Sequence, residues 1–214
     1  MPRFSASIFP SKSATANSTK CAAHCSKNGV IVFRDQVISH EDHKRLGRHF
    51  GRLHVHPLKA QQGGKAQLGE DPELLEIKAT KESKFVAGEA WHADVTCDAE
   101  PPMGSILHIT KIPEIGVGGD TMFANMYLAY DMLSETMKRF LEGLTAVHDG
   151  RLPFEQGYGY VPAGQDYPKN EHPVVVRHPE TGRKLLFVNS GFTSHIVQLS
   201  RGESRALLDM LYRH

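Results

Sequence analysis

Trp91-His-Ala-Asp-Val-Thr96, the break at Pro101-Pro102 and the run Ser105-Ile-Leu-His-Ile-Thr110 form the stretch on which the fold turns. Ser105–Thr110 reads as a strand. If His92-Ala93-Asp94 lies on a strand too, its period of two puts the imidazole and the carboxylate on one face. The same short-strand grammar recurs outward. Upstream, Val30–Phe33 is a short apolar run bounded by Asn28-Gly29, and Leu74–Ile77 reads as a second strand. Downstream, Val174–Arg177 and Leu185–Val188 flank His178-Pro-Glu-Thr-Gly182, a hairpin signal. Helical patterns interrupt these strands. Ser39-His-Glu-Asp42 is a capping box that opens a helix through Leu46 and Phe50, stopped by Gly51. Tyr127–Leu133 and Glu135–Leu144 follow, the second capped by Ser134. Ser200-Arg-Gly-Glu203 opens a last helix through Leu207, Leu208 and Leu211. The expectation is a mostly β chain with helical insertions, antiparallel rather than an alternating βαβ unit.

Three stretches read as irregular. Residues 60–72 carry Gly-Gly and Asp-Pro breakers, and Gly116–Asp120 is a tight turn. Residues 150–172, rich in Gly, Pro and Tyr, have the length of a functional lid.

Composition bounds the function classes. The chain has 214 residues, 25 Lys plus Arg against 24 Asp plus Glu, and a net charge of +1. A near-neutral balance lacks the basic footprint of a nucleic-acid or anionic-membrane binder. No apolar run reaches the length of a bilayer span. Three cysteines, Cys21, Cys25 and Cys97, make no even disulfide framework and fit a reducing, cytoplasmic setting. Histidine is abundant, at 13.

The head differs from the rest. No acid precedes Asp35, and Ser, Ala, Thr and Lys dominate. An organellar transit peptide shares this composition, but arginine is sparse. Residues 1–28 are therefore expected to be a poorly structured or mis-assigned head, with the domain proper over 29–214. The last helix runs into His214 without a Gly, Pro or polar tail, so the domain is expected to be incomplete at its C-terminal end.

The chemistry-bearing residues centre on His92 and Asp94. A neutral imidazole and a carboxylate on one face are two corners of the 2-His-1-carboxylate arrangement that holds non-haem Fe(II). Taken alone, the same pair also reads as a surface histidine beside an aspartate. His54 and His56 form a second same-face pair, equally readable as a strand edge facing solvent. His40 and His43 read as a solvated helix face. Cys21 and Cys25 lack a second half-site for zinc. Cys97 has no activating neighbour in sequence. Asn189-Ser-Gly-Phe192-Thr193 reads as a turn with an aromatic. The chain contains no G-x-S-x-G, no G-x-G-x-x-G and no phosphate loop.

Taken in order, these segments resemble the TauD/TfdA (taurine dioxygenase) family of Fe(II)- and 2-oxoglutarate-dependent dioxygenases. The resemblance rests on Gly29-Val-Ile-Val-Phe-Arg-Asp-Gln36, Phe50-Gly51, His54-Val-His-Pro57 and Trp91-His-Ala-Asp-Val-Thr96. It continues through Gly118-Gly-Asp-Thr121, His148-Asp149, His172-Pro173, His178-Pro-Glu-Thr-Gly-Arg183 and Phe187-Val-Asn-Ser-Gly-Phe-Thr193. The implied fold is a distorted double-stranded β-helix, or jelly roll. By motif, His92 and Asp94 look like two iron ligands and Thr121 like the hydroxyl that contacts 2-oxoglutarate. His56, Phe154 and Phe192 look like substrate-side residues. The implied cofactors are Fe(2+) and 2-oxoglutarate. The implied partners are a small organic acid, such as a sulfonate or alkyl sulfate, and dioxygen, with homo-oligomers common in the family.

The departures from the pattern are specific. Lys59 stands where the taurine branch has Tyr, and Gly88 where it has Asn, which disfavours taurine itself. The distal histidine of the family's W-D-N-R-like segment, and the arginine after it, have no counterpart in this sequence. The expected third iron ligand is thus absent from the chain. The sequence also allows two other readings: a catalytically incomplete paralogue acting as a binding module, and an unrelated metal-binding β domain using His54 and His56.

Overall fold

The computed structural model describes residues 14–56, 71–80, 83, 88–114, 118–158, 161, 163–164 and 166–214. The chain divides into two compact units: Met1–His54 with Ile106–Phe123, and Val55–Ser105 with Ala124–His214.

The first unit contains α1 (Ala14–Asn28) and α2 (His40–Arg48). Helix α1 stands where the sequence led us to expect a poorly structured head; residues 1–13 lie outside the described residues. Helix α2 starts at Ser39 with both halves of the expected capping box. The Asp42 N–H donates to the Ser39 hydroxyl at 3.2 Å, and the Ser39 N–H donates to Asp42 at 3.0 Å. These contacts hold the Asp42 carboxyl below the usual carboxylate range. His43 is not simply solvated. Its Nε2 donates to the Ile106 carbonyl at 2.8 Å, and its ring meets His108 edge-on. Val30–Phe33 and Ser105–Thr110, both expected as strands, run without a ladder among the described residues. Ile106, Leu107 and Ile109 are exposed. β-Branched residues favour a pleated, half-buried surface, but a strand exists only beside a partner. Gly118 and Gly119 have φ of 103° and 85°, and a Cβ at Gly119 would meet Pro113 Cγ at 2.8 Å. The turn thus needs glycine, and it delivers Thr121 two residues on, exposed.

The second unit holds the core. Helices α3 (Met126–Met132) and α4 (Glu135–Leu141) are capped by Asn125 and Ser134. Strands β1 (Thr145–Asp149), β2 (Lys169–Pro173) and β5 (Thr193–Ile196) form an antiparallel sheet in the order β2-β1-β5. Strands β3 (Val175–Arg177) and β4 (Lys184–Leu186) form the expected hairpin. Helix α5 (Leu152–Tyr158) follows β1, so the stretch 150–172, expected to be irregular, starts on a helix and ends on β2. Helix α6 (Arg201–Arg213) carries the complete Ser200/Glu203 capping box. Its buried Ser204 hydroxyl accepts the Ile196 N–H at 2.8 Å, tying the helix to β5.

The buried cluster is Tyr130, Leu133, Leu141, Ala146, Val174, Leu186, Val188, Ile196, Leu208 and Leu211. Fully burying one such Leu, Ile or Val contributes about 1.5–3 kcal/mol. Leu74–Ile77 makes no ladder among the described residues. Among the described residues of this unit, helices and antiparallel strands both occur, in keeping with the expected β chain with helical insertions. Strands β1, β2 and β5 pair with one another, whereas the strand-like runs have no ladder among the described residues.

Candidate metal half-site

The segment Trp91–Thr96 is not a strand. Residues 91–93 are irregular, and a turn begins at Asp94, with Val95 in the left-handed region at φ 49°. The Asp98 N–H closes it on the Val95 carbonyl at 3.0 Å. The strand period therefore does not explain why His92 and Asp94 converge. They nevertheless do: His92 Nε2 lies 3.2 Å from Asp94 Oδ1.

The hydrogen bonds fix the protons. His92 Nδ1 lies 2.7 Å from the Ala90 carbonyl, which only accepts, so Nδ1 carries a proton. In the neutral ring, Nε2 is then a lone pair facing a carboxylate oxygen. Two acceptors at this separation need a cation between them, either a proton or a metal ion. Without a metal, the proton wins. The hydrogen bond to Asp94 pushes His92 up from its ordinary value, against the opposing effect of burial and with help from the Ala90 carbonyl. The same bond holds the Asp94 carboxyl down, against burial, with smaller help from Ser105 and from the charge of His56. The Ser105 hydroxyl donates to Asp94 Oδ2, leaving Oδ1 for the cation. Metal bonds of about 2.1 Å at roughly right angles put two donor atoms about 3 Å apart. The His92/Asp94 pair fits two adjacent corners of such a centre. Among the described residues no group of three or more His, Cys, Asp or Glu gathers around one point.

The walls come from two glycines and an aromatic. Gly88, at φ 94°, would bring a Cβ within 3.3 Å of His92 Cε1. Gly191 would bring one within 2.9 Å of His92 Cβ. The Phe192 ring lies 6.5 Å from the His92 ring. Phe154, on α5, packs edge-on against Tyr167. Thr121 belongs to the first unit and Lys59 lies outside the described residues. His54 and His56 fall on opposite sides of the division between the units.

A polar cluster that the sequence reading missed lies just beyond Asp94. Thr96 Oγ1 sits 2.8 Å from Nδ1 of His148 and accepts the Asn189 Nδ2 hydrogen at 3.2 Å. His148 is fully buried, stacked on Phe187, and its Nε2 has no regular hydrogen bond among the described residues. Burial above all, then the charge of His172, pushes it down to about 4, with the Phe187 backbone pulling the other way. Cys97 Sγ is buried and pushed up to about 12, chiefly by burial, so a thiolate is unavailable at neutral pH. Neither Thr96 nor Ser105 carries a local signal in sequence, because their partners lie 11 to 93 residues away.

Residues 9–214 match the family described as "Taurine catabolism dioxygenase TauD, TfdA family". The chain belongs to the TauD/TfdA family. The match starts at residue 9, ahead of the Gly29 start read from the sequence. A Schizosaccharomyces pombe protein, named by inference an alpha-ketoglutarate-dependent sulfonate dioxygenase, is 35% identical over 95% of this chain and 52% of its own length. The alkylsulfatase of Acinetobacter baylyi is 31% identical over 85% of this chain and 57% of its own length. A Burkholderia xenovorans crystal structure, assigned by inference as an alpha-ketoglutarate-dependent taurine dioxygenase, superposes with a TM-score of 0.75 at 30% identity. It covers 99% of this chain and 67% of that one. This TauD/TfdA chain has that enzyme's jelly-roll type of fold, and it spans little more than half the length of the two curated relatives.

Proposed function

We propose that this TauD/TfdA chain is part of an Fe(II)- and 2-oxoglutarate-dependent dioxygenase that hydroxylates a sulfonate or alkyl sulfate. The observation that carries the reading is the pair of acceptors His92 Nε2 and Asp94 Oδ1, 3.2 Å apart, a separation that suits one shared cation. The sulfonate and sulfate substrates named for its relatives support the substrate class.

His92 and Asp94 would hold the iron. When bound, it couples decarboxylation of 2-oxoglutarate to oxidation of the substrate by dioxygen. The protein residues do the rest. The Ala90 carbonyl fixes the His92 tautomer, and Ser105 orients Asp94. Thr121 is assigned to the 2-oxoglutarate carboxylate, and His56, Phe154 and Phe192 to the substrate. Phe192 beside His92 supplies an apolar wall that keeps water from the reacting carbon. The relatives are longer, and full turnover is proposed for a protein that also carries the family's distal histidine and arginine.

The test is succinate release from 2-oxoglutarate, with Fe(II), across sulfonates, alkyl sulfates and phenoxy acids. The enzyme should carry a relative's C-terminal segment. Substrate-stimulated succinate with sulfonates or sulfates, abolished in His92→Ala, is the expected result. Equal succinate in wild type and His92→Ala would overturn the assignment.

A further inference from the structure

We infer that the Asn189–Gly191 turn is a positioning element for the metal half-site, with Asn189 as its anchor and Gly191 as the surface against which His92 is set. This rests on the reading of His92 and Asp94 as metal ligands.

The turn is tied at both ends. The Asn189 Nδ2 group donates to Thr96 Oγ1 at 3.2 Å, and its Oδ1 accepts the Phe192 N–H at 2.8 Å. One side chain thus joins the residue two after Asp94 to the loop that passes over His92. The Asn189 N–H donates to Thr193 Oγ1, and the Thr193 N–H returns to the Asn189 carbonyl, both at 3.0 Å. From this frame two hydrogen bonds reach the Trp91 carbonyl, and the Gly191 backbone lies close against His92 Cβ. The Gly191 N–H donates to the Trp91 carbonyl at 3.0 Å, and the Ser190 hydroxyl donates to the same oxygen at 3.2 Å. Gly191 has no Cβ, and one built there would stand 2.9 Å from His92 Cβ. His92 Cβ is the root of its side chain, not a flexible tip, so an added methyl would displace the imidazole. Gln156 of α5 holds the turn from outside, donating to the Ser190 carbonyl at 3.1 Å.

None of these groups reaches a metal ligand atom. Their effect is on where Nε2 points. Groups that orient ligands this way typically alter metal affinity by about 10–100-fold.

The experiment measures Mn(II) affinity of the metal-free chain by counting free ion in its electron paramagnetic resonance spectrum, alongside the thermal midpoint. The variants are Asn189→Ala, Gly191→Ala, His92→Ala as a reference, and Leu186→Ala as a core-destabilised control. Expected are losses of about tenfold or more in Asn189→Ala and Gly191→Ala. His92→Ala should abolish binding, and Leu186→Ala should lower the midpoint with affinity unchanged. Gly191→Ala carries the test if Asn189→Ala does not fold. Wild-type affinity in both turn variants, with binding lost in His92→Ala, overturns the positioning role alone. An equal loss in Leu186→Ala overturns it too, because general destabilisation then explains the effect. Wild-type affinity in His92→Ala overturns the underlying half-site as well.

Discussion

His92 Nε2 and Asp94 Oδ1 face each other at 3.2 Å across a turn, with the other His92 nitrogen tied to the Ala90 carbonyl. This relationship makes proton and metal competitors for one position. The Asp94 contact raises the His92 pKa, so below that value a metal ion must displace a proton. Mn(II) affinity should rise with pH through the raised His92 pKa and level off above it. Affinity that falls with rising pH over this range would contradict the competition.

His148 sets a second pH dependence, of folding rather than binding. Its folded value is about 4 and its ordinary value 6.5, so the unfolded chain binds the extra proton between them. Stability is therefore fully present above the ordinary value and is lost as pH falls through this window. The loss is about 3.5 kcal/mol at most, given about 1.4 kcal/mol per pH unit. Urea midpoints measured down the pH scale check this, and His148→Gln should flatten that part of the curve.

Gly88 stands at φ 94° with its open side 3.3 Å from His92 Cε1. Gly88→Ala combines backbone strain with pressure on the ring. It should lower the thermal midpoint and weaken Mn(II) binding together, whereas Gly182→Ala, at φ 68° with nothing near its Cβ, should lower only the midpoint.

Ser200 closes the box at the start of α6. Ser200→Ala should cost about 1 kcal/mol, or about 2–4 °C in thermal midpoint. Leu141→Ala, at a fully buried core position, should cost about 2–5 kcal/mol. Calorimetry separates the two, and a Ser200→Ala loss as large as that of Leu141→Ala would contradict the burial picture.

The local signals were legible in sequence. Ser39 and Ser200 cap helices because the residues three positions on complete each box, and the His178–Gly182 turn makes its hairpin for the same local reason. Strands β1, β2 and β5 were not legible. Thr145–Asp149, Lys169–Pro173 and Thr193–Ile196 are short and polar, and only their neighbours decide which residues are buried. Ser105–Thr110 shows the converse: strand composition without a partner among the described residues. At the site, the identities of His92 and Asp94 could be read, but the reason they meet could not. It lies in a left-handed Val95, in Ser105 eleven residues past Asp94, and in a glycine turn nearly a hundred residues downstream.

Calorimetric titration of Mn(II) into wild-type, His92→Ala and Asp94→Ala chains shows whether this pair holds a metal ion. Wild type should show a single binding event per chain, with release of the His92 proton, and neither variant should bind. Equal binding in all three would contradict metal binding by this pair.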